Sequence, residues 1–407
     1  MITVHGEYNK AIVYTDTADE TTLNQIKDIC GEKAFADAKI RIMPDCHAGS
    51  GCVIGFTSTI TDKVVPNIVG VDIGCGMQLV ELGKIEVDLP KLDNALHTRI
   101  PTGTARYEKP LADSLDLLNL RFKPKNIEDI RCSLGTLGGG NHFIELNVDD
   151  EGNKYFVVHT GSRNLGKQCA DHYQKLAIKN LTAPDLTPLI NCMKKLGLHS
   201  QISYVLNVIK AEKRIINPEL AYLTGQDLLD YLNDMRACQR YANANRWFIF
   251  NNVQQAMGWN YSKIWTSMHN YIGDDDIIRK GAISAYKDEY MIIPLNMRDG
   301  SLICTGLGND DWNQSAPHGA GRIMSRREAI AKLSLEDYKE SMKDVYSTTV
   351  NANTIDEAPF AYKNADEIIA NIGETATIVK HIKPLLNFKD DTGRAEYGNL
   401  RKETQTN

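Results

Sequence analysis

The side chains able to do chemistry in this 407-residue chain are strung out along it, each set among glycines or other small residues. In order they are Asp72 and Cys75 in VGVDIGCGM, Asn141 and His142 in LGGGNHFIEL, His159 in VVHTGSRNLG and His269 in SMHN. His318, in PHGAGR, comes last. A carboxylate, a thiolate and three imidazoles suffice for two metal ions, and that mixture suits Mn, Fe or Zn better than Mg or Ca. A thiolate can bridge two such ions. His318 can then serve as a further ligand, a general base or a nucleophile.

Taken singly, each signal has a plainer reading. Asp72-x-x-Cys75 also fits a glycine-rich turn around a buried, inert thiol, the common fate of a free cysteine. The glycines before Asn141, His142 and Glu145 can cradle a phosphate with their amides, but a glycine triplet also simply opens a strand. His159 follows the apolar run YFVV and fits a core histidine at a strand end, and His269 fits a surface loop or helix. Arg163, Arg279 and Lys280 lie beside these segments and can grip phosphates, although solvated charges look the same in sequence. His318 can cap the helix after it. The ensemble shifts the balance. Four of the ten histidines occupy Gly/Ser/Asn-flanked segments, whereas His97 and His199 have ordinary surroundings.

The elements that must bring these residues together can be read coarsely. The first third alternates apolar runs with glycine breaks, the texture of short strands and turns. ADETTLNQIKDICGE reads as a helix, and KYFVVHTGSRNLG as a strand entering a turn ahead of another helix. From about residue 180 to 258 the texture becomes helical, an insertion whose last helix, near 235–257, returns to the core. Strands resume at YMIIPLNM and SLICTGL, helices follow from about 323 and 364, and IKPLLNFK is a final strand. Ligands lie on both sides of the insertion. Residues 1–389 are therefore expected to be one catalytic domain of mixed α/β (α+β) class, followed by a polar tail at 390–407.

Bulk properties narrow the function classes. A hydrophobic content of 42% and a charged content of 24% fit a soluble globular protein. No apolar stretch is long enough to span a bilayer, and the first residues lack a signal-peptide pattern. Nine cysteines with no repeated short spacing make a poor disulfide framework and suit a reducing compartment, so a cytoplasmic location without membrane contact is expected. The net charge of −6 argues against coating nucleic acid through overall charge, but not against a local basic groove.

With these residues laid out, the chain resembles the RtcB-type RNA ligases. The likeness runs from MPDCHAGSG near residue 43 to IKPLLNFK near residue 389, and includes VGVDIGCGM, LGTLGGGNHFIE, VHTGSRNLG, HN, RKGA, HGAGRIMSR and DEAPFAYK in family order. The resemblance implies an RtcB-like fold with a central metal-containing cleft. It implies two Mn²⁺ ions held by Asp72, Cys75, His142, His159 and His269, with Cys75 bridging. His318 would attack the α-phosphate of GTP to give a histidine–GMP intermediate, with Asp45 orienting its imidazole. Asn141 and Glu145 would contact the nucleotide, Tyr362 would stack on guanine and Lys389 would hydrogen-bond it. Arg163, Lys280 and Arg322 are the candidates for RNA or phosphate contacts. The implied reaction passes the GMP to an RNA 3′-phosphate, opened first if it is a 2′,3′-cyclic phosphate. A 5′-hydroxyl end then joins to the 3′-guanylylated end, in RNA repair or tRNA splicing. Broken tRNA, rRNA or other RNA would be the partner, with room for an activating protein.

The chain also departs from the family pattern. Members usually carry a Gly-Ser-Met-Gly loop where this chain reads Leu295-Asn296-Met297-Arg298-Asp299-Gly300-Ser301. Ala316 and Pro317 replace small polar residues before His318, and Asp390 with a polar extension follows Lys389. None of these removes a metal ligand or the reactive histidine. Two other readings use the same residues. A metal-dependent phosphoesterase would open RNA cyclic phosphates without ligating and would not need His318. A non-catalytic RNA-end-binding protein would have a nucleotide loop that no longer accepts GTP.

Overall fold

Alternating apolar residues on both faces of the strands dictate the centre of the molecule. In Gly76–Gly83, Val80 and Leu82 point one way while Met77 and Leu79 point the other, and all are buried. Lys154–Thr160 does the same with Phe156 and Val158 against Tyr155 and Val157. Successive strand residues face opposite sides of a sheet, so this sheet must be covered twice. On one side lie the helices Leu89–Arg99 and Gly225–Met257, contributing Leu92, Leu96, Ile249, Phe250 and Val253. On the other side the sheet curls onto itself. The amide of Ile292, in one edge strand, donates to Ser267 Oγ of the other edge strand at 3.2 Å. The computed structural model describes residues 1–112, 119–182, 186–211 and 217–392. Parts of the expected insertion and all but 390–392 of the expected tail lie outside them.

This seven-stranded sheet is antiparallel throughout, in the order Lys263–Met268, Gly76–Gly83, Lys154–Thr160, Phe143–Val148, Ala376–Phe388, Gly300–Gly306, Tyr290–Asn296. A six-stranded sheet stands beside it, in the order Ile2–His5, Lys10–Val13, Ile40–His47, Ile54–Thr59, Ile277–Lys280, Asn270–Ile272. Its single parallel pair is Lys10–Val13 with Ile40–His47. Parallel neighbours need a crossover, and the helix Glu20–Cys30 supplies it. Asp19 caps that helix by accepting from Thr22 N at 2.8 Å, and Ile26 and Ile29 bury its inner face.

Several elements differ in extent from the sequence reading. The helix expected near 235–257 begins at Gly225, because Leu228 and Tyr231 extend its buried stripe without a breaker. It runs 33 residues and ends at Gly258, whose φ of 70° only glycine adopts readily. The helix expected from about 323 starts at Arg326, because Ser325 and Glu328 form a reciprocal capping box there. The final strand spans Ala376–Phe388. Its first half pairs with Gly300–Gly306 and its second with Phe143–Val148, and a register shift at Pro384 accommodates the missing N–H. No helix among the described residues is long and apolar enough to cross a membrane.

Candidate metal centre and nucleotide cavity

The antiparallel order concentrates the ligands at one end of the seven-stranded sheet. Cys75 immediately precedes the strand Gly76–Gly83, and Gly76 pairs with Thr160 on one side and Met268 on the other. His159 is therefore at the finishing end of its strand, and His269 follows Met268. His142 immediately precedes Phe143, which pairs with His159. Neighbouring strands that start and stop at the same edge thus deliver one thiol and three imidazoles to one spot. Asp72 joins them from the turn before Cys75, in a space that Gly161 leaves open. A Cβ there would lie 2.1 Å from Asp72 Oδ1.

Hydrogen bonds fix how the imidazoles present themselves. His142 Nδ1 lies 3.0 Å from Leu137 O, and His159 Nδ1 lies 3.1 Å from Asn141 O. Carbonyl oxygens only accept, so both Nδ1 atoms carry protons. His269 Nδ1 is 3.2 Å from Asn270 Oδ1, which also accepts from Gly281 N at 3.0 Å. All three Nε2 atoms therefore offer lone pairs inward. His159 Nε2 and His269 Nε2 face each other at 3.1 Å, and Cys75 Sγ lies 3.4 Å from His159 Nε2 and 3.5 Å from His142 Nε2. Asp72 Oδ2 is 3.0 Å from His142 Nε2. Facing lone pairs repel unless a cation lies among them. Burial, followed by the charges of His269 and His142, holds His159 well below its usual range, so protonation there is disfavoured. Burial, then His318, lowers His269 to about 3.

The donors form two groups that share Cys75: Cys75, His159 and His269, and Asp72, Cys75 and His142, each within 4.8 Å. This fits two transition-metal ions bridged by one thiolate, with Nδ1–H to carbonyl bonds holding the imidazoles from behind. Burial, then Asp72, pushes the Cys75 thiol up, so the thiolate requires a cation. Burial raises Asp72 too, but a protonated His142 facing it would outweigh this and bring it down to about 2; with His142 neutral, a metal ion supplies the positive partner instead. One permanent cation stands behind the centre. Arg246, fully buried on the long helix, donates from Nη1 to Gly74 O at 2.9 Å and Thr160 O at 2.7 Å.

His318 stands beside this cluster, its ring centroid 4.8 Å from that of His269. Asp45, fully buried at the end of Ile40–His47, accepts from His318 Nδ1 at 2.7 Å and from His318 N at 3.2 Å. The Nδ1 proton is thereby fixed and Nε2 is left carrying the lone pair. Gly321 makes the approach feasible. Its φ is +77°, and a Cβ there would come within 2.4 Å of Asp45 O. A cavity of about 320 Å³ opens from His159, His269 and His318 toward Glu145, Tyr362 and Lys389, a size within the range of small-molecule sites.

A family model described as tRNA-splicing ligase RtcB matches residues 32–123 and 118–390. The chain belongs to the RtcB family. It is 29% identical over 398 residues to the RNA-splicing ligase RtcB of Escherichia coli (strain K12), covering 87% of this chain and 91% of that protein. It is 25% identical over 483 residues to the tRNA-splicing ligase RtcB of Aeropyrum pernix, covering 92% and 94%, and 24% identical over 429 residues to that of Pyrobaculum aerophilum, covering 81% and 82%.

In this RtcB-family structure the five ligand candidates, His318 and Asp45 are together, and Asn141, Glu145, Tyr362 and Lys389 line the cavity. Burial pushes Glu145 up to about 7, although Asn147 and Asn387 both donate to it. The three phosphate candidates are already engaged. Arg163 donates to Thr136 Oγ1 and Gly103 O, and Lys280 to Ser50 O and Asn67 O. Neither lines the cavity. Arg322 does, but donates to Met324 O, Asp356 O, Tyr362 Oη and Glu357. The sequence reading missed four residues here. His47, with Nδ1 3.0 Å from Asp45 O, and Arg326 and Glu357 line the cavity. Arg246 had a readable signal, a charge inside the buried helical stripe of Ala242, Asn245 and Ile249. His47, Arg326 and Glu357 sit inside motifs quoted above, where neighbouring residues drew the attention.

Proposed function

We propose that this chain is an RNA ligase of RNA repair or tRNA splicing. It joins RNA 3′-phosphate or 2′,3′-cyclic-phosphate ends to 5′-hydroxyl ends, using GTP and two Mn²⁺ ions. The carrying observation is His318, with Nδ1 held by buried Asp45 at 2.7 Å and its ring against a metal-type cluster. The names of the relatives, RNA-splicing and tRNA-splicing ligases, support the RNA substrate.

The chain's own residues supply most of the proposed steps. His318 Nε2 attacks the α-phosphorus of GTP, the bond to the β-phosphate oxygen breaks, and pyrophosphate leaves. Asp45 keeps the proton on Nδ1 and stabilises the positive charge that the phosphorylated imidazole acquires. An RNA 3′-phosphate oxygen then displaces His318 from the GMP phosphorus. The 5′-hydroxyl oxygen attacks the activated 3′-phosphate, its proton is released, and GMP departs. Metal ions bound by Asp72, Cys75, His142, His159 and His269 would neutralise phosphate charge and lower the pKa of an attacking hydroxyl or water. Tyr362 and Lys389 would hold the base, and Asn141 and Glu145 other parts of the nucleotide. Arg163, Lys280 and Arg322 remain the proposed RNA contacts, reached by exchanging their carbonyl partners for phosphate.

We read residues 1–389 as one catalytic body carrying a helical insertion. The nine cysteines, all free, support a reducing, cytoplasmic setting. The phosphoesterase alternative has no use for a histidine held as His318 is. Incubation with Mn²⁺ and α-labelled GTP, followed by a denaturing gel, tests the proposal. Wild-type protein should retain label and His318→Ala should not. Absence of label from metal-loaded wild type would refute it.

A further inference from the structure

Glu357 has no assigned role, yet four cavity side chains converge on it. It is 4% exposed, at the end of the short turn Ile355–Glu357. The Tyr362 hydroxyl donates to its Oε2 at 2.8 Å, and Lys389 Nζ donates to the same oxygen at 3.0 Å. Arg322 Nη1 reaches Oε1 at 3.4 Å, and Arg326 Nη1 donates to that oxygen as well. Arg326 also donates to Asp356 Oδ2 at 2.6 Å. Burial would raise Glu357, but Arg326, Lys389 and Arg322 together hold it well below the usual carboxylate range, so it is ionised.

The two side chains it holds by the same oxygen are those proposed to meet the base. A lysine stem is flexible, and fixing it costs rotamer entropy that a bound partner must offset. Glu357 and the ring of Phe143, 5.5 Å from Nζ, hold Lys389 here. An ammonium has three N–H donors and no acceptor, and Glu357 takes one. At the 6-position of a purine, such a donor pairs with the O6 of guanine and meets only a competing donor in the N6 amino group of adenine. Lys389 can discriminate between them only if it is aimed. Tyr362 is aimed by the same atom, with Arg322 5.0 Å from its ring centroid.

We propose that Glu357 is the positioning residue for base selection, making the cavity choose guanine over adenine by holding Lys389 and Tyr362 in fixed relation. This rests on the nucleotide reading given above. Glu357→Gln keeps the shape and removes the charge. A mere counter-charge, once removed from among cations, would change the affinity for every nucleoside triphosphate alike. A positioning residue changes the ratio.

The experiment measures the second-order rate of His318 labelling by α-labelled GTP and by α-labelled ATP, with Mn²⁺ present, in full-length wild type, Glu357→Gln, Lys389→Met and the double variant. The expected result is a GTP-over-ATP ratio lower by on the order of tenfold in each variant, about the worth of one hydrogen bond. The double variant should lose no more than Lys389→Met alone, since the two residues act as one unit. A ratio within about twofold of wild type in Glu357→Gln, with both rates moved together, overturns the inference. Should that variant not fold, Lys389→Met decides: retention of the wild-type ratio overturns it equally. Metal-loaded wild type that labels with neither nucleotide removes the nucleotide reading itself, a distinct outcome that takes this inference with it.

Discussion

Substituting Asp45 by Asn isolates the contribution of one charge to His318, the histidine proposed to react. Asp45 Oδ2 takes two donors, His318 Nδ1–H and His318 N–H, in a fully buried setting. An asparagine oxygen can replace Oδ2, but the amide nitrogen must then occupy the place of Oδ1, which has no hydrogen-bond partner among the described residues. A buried NH₂ without an acceptor costs about 1–3 kcal/mol. The reverse placement puts the NH₂ against Nδ1 and forces the wrong tautomer. Because the wild-type Oδ1 is likewise buried without a partner, stability should fall by less than that full cost, by about 1 kcal/mol or less. Exchanging a charge-assisted hydrogen bond for a neutral one forfeits roughly another 1–2 kcal/mol as the imidazole becomes cationic, slowing histidine–GMP formation about 5- to 30-fold even with the favourable placement. Single-turnover labelling with GTP reads the rate, urea unfolding the stability, and elemental analysis the metal content, which should not change because Asp45 is not among the clustered ligands. Adduct formation at the wild-type rate in a folded, fully metallated Asp45→Asn protein would refute the role given to Asp45.

Other consequences are equally open to measurement. Cys75→Ser should lower the metal stoichiometry at both positions together, because Cys75 belongs to both donor groups, whereas His142→Ala should affect one first; elemental analysis after dialysis distinguishes them. Gly321→Ala should abolish histidine labelling while leaving bound metal in place, since the added Cβ meets Asp45 O and the φ of +77° is strained for alanine. Glu145 is raised to about 7 from an ordinary value near 4.5, so the folded chain binds the extra proton between those pH values. Its contribution to stability is full below about 4.5 and is lost as pH rises through about 7, an effect on the order of 3 kcal/mol. Glu145→Gln should accordingly gain stability relative to wild type from pH 5 to pH 8 in denaturant titrations. An unchanged difference between the two proteins would contradict the burial argument.

Much of the candidate site was legible because cysteine and histidine recur there beside glycines, where Gly, Asn, Asp and Ser would be the ordinary turn residues. Asp72, Cys75, His142 and His159 announced themselves through their neighbours, and His318 through the small residues around it. The tautomers were not legible, because the acceptors that fix them are backbone carbonyls such as Leu137 O and Asn141 O, whose positions depend on the fold. The hub at Glu357 was hidden for a similar reason. It joins side chains that span residues 322 to 389, and nothing in their spacing predicts that they meet. Among the elements, continuous apolar runs broken by glycine gave the central strands, which are buried on both faces. The length of Ala376–Phe388 was missed because its first half is solvent-touched at Thr377, Ile378 and Val379 and does not read as a core strand.

The end-on assembly of the metal-type cluster has a consequence for the newborn chain. Asp72 and His269 belong to segments made far apart in time, and at roughly 5–20 residues per second their synthesis is separated by tens of seconds. His318, Tyr362 and Lys389 emerge after every member of the cluster. The strand that ends at Phe388 also seals the open edge of Phe143–Val148. Until that strand is made, Phe143–Val148, which follows His142 directly, has an unpaired edge, so the order of synthesis delays the sheet that positions the cluster. The proposed site is therefore assembled from both sides only once the strand ending at Phe388 is in place along Phe143–Val148.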